Sequence, residues 1–230
     1  MGIMGRPGIT AKLFETISKA GINVRLIATS EVKVSCVIES KLGSKALRCV
    51  SEAFEIDSKE IHINPINIGS GEPEVRGVAL DTNQQQVSVI NVPDVPGTAG
   101  TLCRALTEAG ISLDTIVQSE RKHVSGGRNI SFTLNKEDRK KVDLAISSLL
   151  KSWPEAYIED GEAIARISSV GAGMPSTIGT AARMFRAIAN AEINIEMIAT
   201  SEIRTTCIVA ENNGVKALQA VHSFFNLNQQ

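Results

Sequence analysis

The stretch that decides the fold is INVRLIATSEV, residues 22–32, which returns as INIEMIATSEI at residues 193–203. Placing residues 8–38 over residues 179–209 without a gap gives 13 identities in 31 positions. Similarity of this degree within one chain indicates an internal duplication, and the repeat is long enough to be a small compact domain rather than a solenoid unit. The fold is therefore predicted to be built from copies of one domain.

A third, weaker copy lies between the first two, at residues 96–120. It stays in phase with copy one, because three pairs of positions coincide: Gly97 with Gly8, Ile111 with Ile22, and Ser119 with Ser30. In chain order the three domains are called copies one, two and three. Copies one and three are of one type, called the second type below, and copy two is of the first type.

Each copy shows the same succession of patterns. A glycine turn opens a helix such as Thr98–Ala109, in which apolar residues recur at helical spacing. The alternating run INIEMIA, residues 193–199, predicts a short strand, and the polar break at residues 200–202 predicts a hairpin to a second strand. A second amphipathic helix follows. This order predicts an α+β fold of ferredoxin-like βαββαβ plaits, with antiparallel strands and both helices on one face.

Copy one, predicted over residues 1–66, begins inside its opening turn and lacks the opening strand of the plait. Either the chain starts within a larger protein, or a strand from elsewhere, such as residues 60–66, completes the sheet. Residues 67–74, rich in glycine, proline and acid, are predicted to be a linker.

The composition excludes several classes of function. The 24 basic and 25 acidic residues nearly cancel and form no basic block, so neither nucleic acid nor a membrane surface is an expected partner. No apolar stretch is long enough to span a bilayer, and a signal-peptide pattern is absent, so the cytoplasm is the expected location. The cysteines form no CxxC pair and are predicted to pack in the core: Cys36, Cys49, Cys103 and Cys207.

No catalytic constellation is found in the sequence, and neither a metal nor a cofactor is predicted. The glycines of residues 171–173 follow a strand, but Gly179 breaks the spacing of a dinucleotide-binding loop. The turn PDVPG is more informative, because a helix N-terminus after Gly97 suits a carboxylate and Asp94 suits an ammonium. Such a pair of groups fits a free amino acid. The residues alone equally allow Asp94 to be a helix cap and the glycine to make the bend.

Five segments together carry a family resemblance: VRGVALDTNQQQVSVINVPDVPGTAGTL, AGISLDTIVQS, ISFTL, ARISSVGAGMPSTIGTAARMF and INIEMIATSEIRTTCIV. They resemble the tandem ACT domains in the regulatory region of aspartate kinase, over nearly all of residues 75–227, and residues 2–56 resemble one more second-type ACT domain. The arrangement is similar to the cyanobacterial type, which carries two successive pairs of ACT domains.

The resemblance implies a site for an amino-acid effector, lysine or threonine, where a first-type and a second-type domain meet. The implied effector-binding residues are Asp94, Gly97, Ala99, Ile111, Ser112, Gln118, Asn194 and Ile195. Asn23 and Val24 hold the corresponding place in copy one and imply a second site. The first-type domain that precedes copy one in the family is absent from this chain, so a site there would have to borrow a partner.

The resemblance also implies that the strand of residues 75–80 belongs to the sheet of copy three, residues 161–230. Copy two, residues 81–160, would then be an insertion within copy three. The kinase domain is not in the chain, so we expect no phosphorylation of aspartate by the chain alone.

The implied role is feedback regulation of aspartate-family amino acid biosynthesis. The implied partners are the effector, an aspartate kinase catalytic domain or subunit, and a second copy in a homodimer, in the cytoplasm or a plastid stroma. The alternative is a structural dimerisation module of the same enzyme that binds no ligand.

Overall fold

The computed structural model describes residues 8–30, 33–57, 73–118, 126–174 and 177–227. Copy one contributes α1 (Ile9–Lys19), β1 (Leu26–Ser30), β2 (Lys33–Val37) and α2 (Gly43–Phe54). Copy two follows with β3 (Gly77–Val92), α3 (Thr98–Glu108), β4 (Ile116–Gln118), β5 (Arg128–Asn135) and α4 (Arg139–Ser152). Copy three has β6 (Tyr157–Val170), α5 (Thr180–Asn190), β7 (Met197–Thr200), β8 (Arg204–Ala210) and α6 (Gly214–Phe224). The succession of elements confirms the predicted α+β fold.

The chain divides into two compact units. Unit 1 holds residues 1–63 and 86–161, and unit 2 holds residues 64–85 and 162–230. The long strands β3 and β6 therefore each have residues in both units. Residues 75–80 lie in unit 2 together with copy three. The strand proposed at residues 60–66 and most of the predicted linker lie outside the described residues.

In unit 1, copies one and two pair side by side. The strand order is β2-β1-β4-β5-β3, and the neighbours β1 and β4 come from different copies. These two strands run antiparallel, with Ile27 opposite Gln118 and Ala28 opposite Val117. The hydroxyl of Thr29 reinforces the junction by accepting a hydrogen bond from the backbone N–H of Ile116 at 2.6 Å. One edge-to-edge strand pair thus joins the two domains.

The helices of the two copies also approach closely in unit 1. A Cβ atom placed on Gly100 of α3 would lie 3.2 Å from the backbone nitrogen of Glu15 in α1 and 3.3 Å from Cβ of Phe14. Only a residue without a side chain leaves room for this approach. Arg104 and Glu15 form an ion pair of 3.0 Å across the same pair of helices.

A single hydrophobic core runs through both copies of unit 1. Both copies contribute fully buried side chains to this core. Copy one supplies Phe14 and Ile27, and copy two supplies Leu102, Phe132 and Ile146. Burial of side chains of this size contributes about 1.5–3 kcal/mol each relative to exposure. The apolar contacts of this shared core therefore stabilise the two copies together, as one compact unit.

In unit 2 the strands are hydrogen-bonded in the order β3-β6-β8-β7. Glu74 fixes the start of α5, because its carboxylate accepts a hydrogen bond of 3.0 Å from the hydroxyl of Thr180 and pairs with Arg183. The guanidinium of Arg183 also lies 4.9 Å from the ring centre of Phe225. Glu74, the last residue of the predicted linker, is thus part of the packed unit.

The predicted strand over residues 193–199 is wrong for its first four residues, because β7 begins at Met197. The isoleucines before it, Ile193 and Ile195, instead pack against the core just after the C-terminal end of α5. The N–H of Ile193 bonds to the carbonyl of Ile188 at 3.3 Å, and the Ile193 side chain is buried in the core of unit 2. Of these four described residues, only Glu196, directly before β7, bonds to the neighbouring strand, through its N–H and the carbonyl of Ile208 at 2.8 Å. The apolar alternation before it thus reflects packing of the turn against the core.

Cys103 and Cys207 are buried in the cores, as predicted, and Cys36 is half-buried against the core of unit 1. Burial raises the pKa of each of the Cys36, Cys103 and Cys207 thiols to about 12. Cys49, half-buried in α2, donates instead to the carbonyl of Ala46. None of the described helices is long and apolar enough to cross a membrane.

We expect Cys49 to be the one thiol of the folded protein that reacts rapidly with an aromatic disulfide reagent. At pH 8 only about one buried thiol in ten thousand would be the reactive thiolate when its pKa is near 12. The labelling rate of those three should rise about tenfold for each unit of pH. The measurement is the number of thiols released quickly in buffer and after unfolding in guanidinium chloride. Rapid release of more than one thiol in buffer would contradict the packing described above.

Candidate functional site

A narrow cleft lies where copies one and two meet in unit 1, at the start of α3. Its wall includes Asn23 and Val24 of copy one, and Asp94, Gly97, Gln118 and Arg128 of copy two. The enclosed volume is about 20 Å³, which is room for about one water molecule. The cleft is therefore nearly closed.

The local sequence explains why the start of α3 faces this cleft. Gly97 precedes the helix with a φ of 100°, a left-handed conformation that glycine adopts without strain. Gly97 has no side chain to cap the first turn, and Ala99 and Gly100 of that turn line the cleft. A helix start of this kind presents backbone N–H groups and a partial positive charge, which together favour a carboxylate.

Asp94 is the acid of the cleft, and its carboxylate is 8% exposed. Its Oδ1 atom accepts a hydrogen bond of 3.0 Å from the side-chain amide of Asn23. The Nε atom of Arg128 lies 2.7 Å from the same oxygen, and the Arg128 side chain is 5% exposed. The negative charge of Asp94 is thus balanced by a buried cation from its own copy.

Two further side chains of copy two bind the main chain of copy one. The amide of Gln118 donates to the carbonyl oxygen of Val24 at 3.0 Å. The Nη1 atom of Arg128 donates to the carbonyl oxygen of Arg25 at 2.8 Å. These bonds fix the segment that leads into β1 against the cleft.

A wider cavity of about 740 Å³ adjoins this cleft and shares Asn23, Asp94 and Arg128 with it. Its outer wall carries Glu39, whose carboxylate pairs with Lys41 at 2.8 Å and Arg25 at 3.1 Å. The hydrogen bond from Lys41, and to a smaller extent the one from Arg25, lowers the pKa of Glu39. The cavity is therefore polar and mixed in charge.

The structure brings together four of the residues that the sequence assigns to an effector site in copy two: Asp94, Gly97, Ala99 and Gln118. Ile111 is buried in the hydrophobic core of unit 1, and Ser112 is exposed. Both residues follow the C-terminal end of α3, since the N–H of Ile111 bonds to the carbonyl of Leu106.

The partner of these residues within unit 1 is copy one. Asn23 and Val24, which the sequence assigns to a second site, line the same cleft as Asp94. Asn194 and Ile195 hold the matching place in copy three and lie in unit 2. There Asn194 is exposed and Ile195 packs against the core of unit 2. Within unit 1, copy two is thus the domain that packs against Asn23 and Val24 of copy one.

Sequence reasoning missed Arg128. It falls in the stretch ERKHVSGGRN, residues 120–129, whose basic, glycine-containing composition is typical of a loop, whereas Arg128 is the first residue of β5. An isolated arginine at the start of an apolar strand is a signal of a buried ion pair, because a buried cation needs an acid. Among the described residues, no group of three histidine, cysteine or acidic side chains is arranged to hold a metal ion.

Comparison with known families defines the class of protein. Two family models, both described as ACT domain, match the chain: one at residues 1–54 and again at 167–225, the other at residues 86–151. The first model covers copies one and three and the second covers copy two. The division into two types of repeat in the sequence agrees with these matches.

Three relatives narrow the class. The chain is 38% identical over 156 residues to the aspartokinase of Thermus thermophilus. The matched stretch covers 67% of this chain and 38% of that protein. A crystal structure of aspartate kinase from Synechocystis matches 98% of this chain and 38% of that one, with 45% identity and a TM-score of 0.88. The regulatory subunit of aspartate kinase from Thermus flavus is matched over 98% of its length and 66% of this chain, with 38% identity and a TM-score of 0.60.

The chain therefore belongs to the ACT-domain family and, within it, to the ACT-domain regulatory region of aspartate kinases. It spans little more than a third of the length of the two full-length relatives, 38% in each case.

Proposed function

We propose that the cleft between copies one and two binds a free amino acid, lysine or threonine, and that binding regulates an aspartate kinase by feedback inhibition. The observation that carries the proposal is the meeting of a buried carboxylate, Asp94, with the uncapped start of α3 in one cleft. The ammonium of an α-amino acid would bind Asp94, and its carboxylate would bind the N–H groups of Ala99 and Gly100. Asn23 and Gln118 would fix its orientation.

The mechanism follows from the size of the cleft. A volume of about 20 Å³ is too small for an amino acid, so binding to both Asp94 and the start of α3 requires the cleft between copies one and two to widen. An effector that binds only the opened packing would shift the population toward it. Coupling of this kind typically amounts to about 1–3 kcal/mol. An aspartate kinase catalytic domain or subunit would respond to the packing of the pair.

The direct test is calorimetry of the chain with lysine and with threonine. We expect saturable binding of at least one, and loss of that binding in Asn23→Ala, because the variant removes the amide that contacts Asp94. Asn194→Ala is the matched control, since it makes the same change at the equivalent place in copy three. Equal loss in both variants, or in neither, would rule out the proposed location of the site.

A second candidate function is dimerisation without ligand. Three isoleucines of unit 2 are exposed to solvent, Ile178 at 103%, Ile198 at 46% and Ile203 at 39%. Exposed apolar residues near a strand edge favour contact with another protein chain. Light scattering that shows a dimer, together with no heat from either amino acid, would favour this candidate.

All four cysteines are free thiols, which is consistent with a cytoplasmic location.

A further inference from the structure

We infer that Arg128 occupies the position at Asp94 that the ammonium of the effector would take, and that the effector must displace Arg128 from it. The inference rests on the proposed function and concerns the regulation of the same site. Arg128 would then set the affinity of the cleft without belonging to the surface that recognises the effector. It would compete, from within the chain, with the effector ammonium for the carboxylate of Asp94.

The contacts of Asp94 support this exchange. The guanidinium Nε lies in an ion pair 2.7 Å from its Oδ1 atom, which also accepts the hydrogen bond of 3.0 Å from the amide of Asn23. An effector ammonium carries the same charge as the guanidinium and needs the same carboxylate. The narrow cleft leaves no room for both cations, because its enclosed volume is about 20 Å³. Asp94 also lines the wider cavity, but an ammonium placed in the narrow cleft, beside the start of α3, must take the oxygen that Arg128 holds. Binding at that position therefore requires Arg128 to leave.

The structure also offers a place for the released side chain. Arg128 lines the wider cavity of about 740 Å³ as well as the narrow cleft. Glu39 lies on the wall of that cavity, and water can hydrate the guanidinium there. One cation replaces another at Asp94, so the buried carboxylate keeps a counterion throughout. An exchange of this kind avoids the cost of a lone buried charge.

The exchange would also change the contact between the two copies. Arg128 belongs to β5 of copy two, and its Nη1 atom binds the carbonyl oxygen of Arg25 in copy one at 2.8 Å. When the guanidinium leaves Asp94, this bond between the copies is lost or moved. Effector binding thereby acquires different contacts in the two packings, which is the physical requirement for allosteric coupling.

The first test is calorimetry with lysine and threonine on the wild-type chain, on Arg128→Gln and on Arg104→Gln. Removal of the competitor is expected to lower the Kd of the bound amino acid by about tenfold or more in Arg128→Gln. Arg104→Gln is the control, because Arg104 also pairs with copy one but does so at Glu15 on the helix surface. Its Kd should stay within about twofold of the wild-type value.

The second test needs no variant that could fail to fold. The Nε–H signal of Arg128 in the nuclear magnetic resonance spectrum of the wild-type chain should be protected from exchange with water in the empty protein. Saturation with the amino acid should move that signal and expose it to solvent exchange. The signal of Arg166, which pairs with Asp81 in unit 2, is the internal reference.

The outcomes separate this inference from the function on which it rests. Tighter binding in Arg128→Gln and exposure of the Arg128 signal support both. Binding by the wild-type chain that is lost in Arg128→Gln, or an Arg128 signal that stays protected at saturation, overturns the exchange and leaves the proposed function intact. Heat from none of the three proteins overturns both.

Discussion

Asp94→Asn is expected to lower the free energy of unfolding of unit 1 by about 3–5 kcal/mol, the usual cost of leaving one member of a buried ion pair without its partner. The guanidinium of Arg128, 5% exposed, loses its carboxylate. The asparagine still has an oxygen for the amide of Asn23, so the effect isolates the charge. Binding of an amino-acid effector should be abolished at the same time, because an ammonium has no counterion in the cleft. Chemical denaturation and calorimetry measure the two effects.

Asp143→Asn is the matched control for this prediction. Asp143 also pairs with an arginine of unit 1, Arg139, at 2.9 Å, but its side chain is 57% exposed. An exposed pair of this kind contributes about 0.3–0.5 kcal/mol, so stability and binding should barely change. The double variant Asp94→Asn/Arg128→Gln should regain much of the lost stability, since neither charge then remains. A double variant no more stable than Asp94→Asn would contradict the ion-pair explanation.

Gly100→Leu is the second change with a large expected effect. A side chain at Gly100 would have to enter the space held by the α1 backbone at Glu15 and by Phe14, only 3.2–3.3 Å from the new Cβ. We expect a loss of about 3 kcal/mol, the upper end of the usual cost of overpacking, since backbone must move. The paired strands β1 and β4 and the cleft depend on the same helix contact, so effector binding should also be lost.

Gly43→Leu provides the comparison for Gly100→Leu. Gly43 also lies in a helix of unit 1, α2, and a Cβ there would meet nothing within 4 Å. Its replacement should be neutral or slightly stabilising, because leucine is the better helix former. Denaturant titration of both variants gives the difference directly. An equal loss of stability in both variants would contradict the close approach of α1 to α3 as the cause.

The repeat at IATSE made most of the fold predictable from the sequence. Each copy carries the same glycine turn, helical spacing and polar break, so one copy supports the assignment of the others. The helix predicted at Thr98–Ala109 is observed as Thr98–Glu108. The strand before residue 197 was overpredicted, because an apolar side chain that closes a helix end looks the same in sequence as one that faces a sheet.

The composition of the candidate site was predictable only in part. Asp94 was recognisable because an acid between two prolines stands beside a glycine turn. The residue that contacts Asp94 from the other copy, Asn23, could not be identified from the sequence. Asn23 and Asn194 occupy equivalent places in the duplication, and the local sequence does not tell which of them packs on copy two. Arg128 was missed because burial of a cation depends on tertiary contacts that a charge pattern along the chain does not record.

The bonds from Gln118 and Arg128 to copy one end on the carbonyl oxygens of Val24 and Arg25, and not on their side chains. Mutations at positions 24 and 25 therefore leave these two bonds in place. Val24 is also held by its packing in the core, but the exposed position 25 can vary over evolutionary time while both bonds persist. A main-chain junction of this kind lets one domain of the pair accept a substitution there without a compensating change in the other.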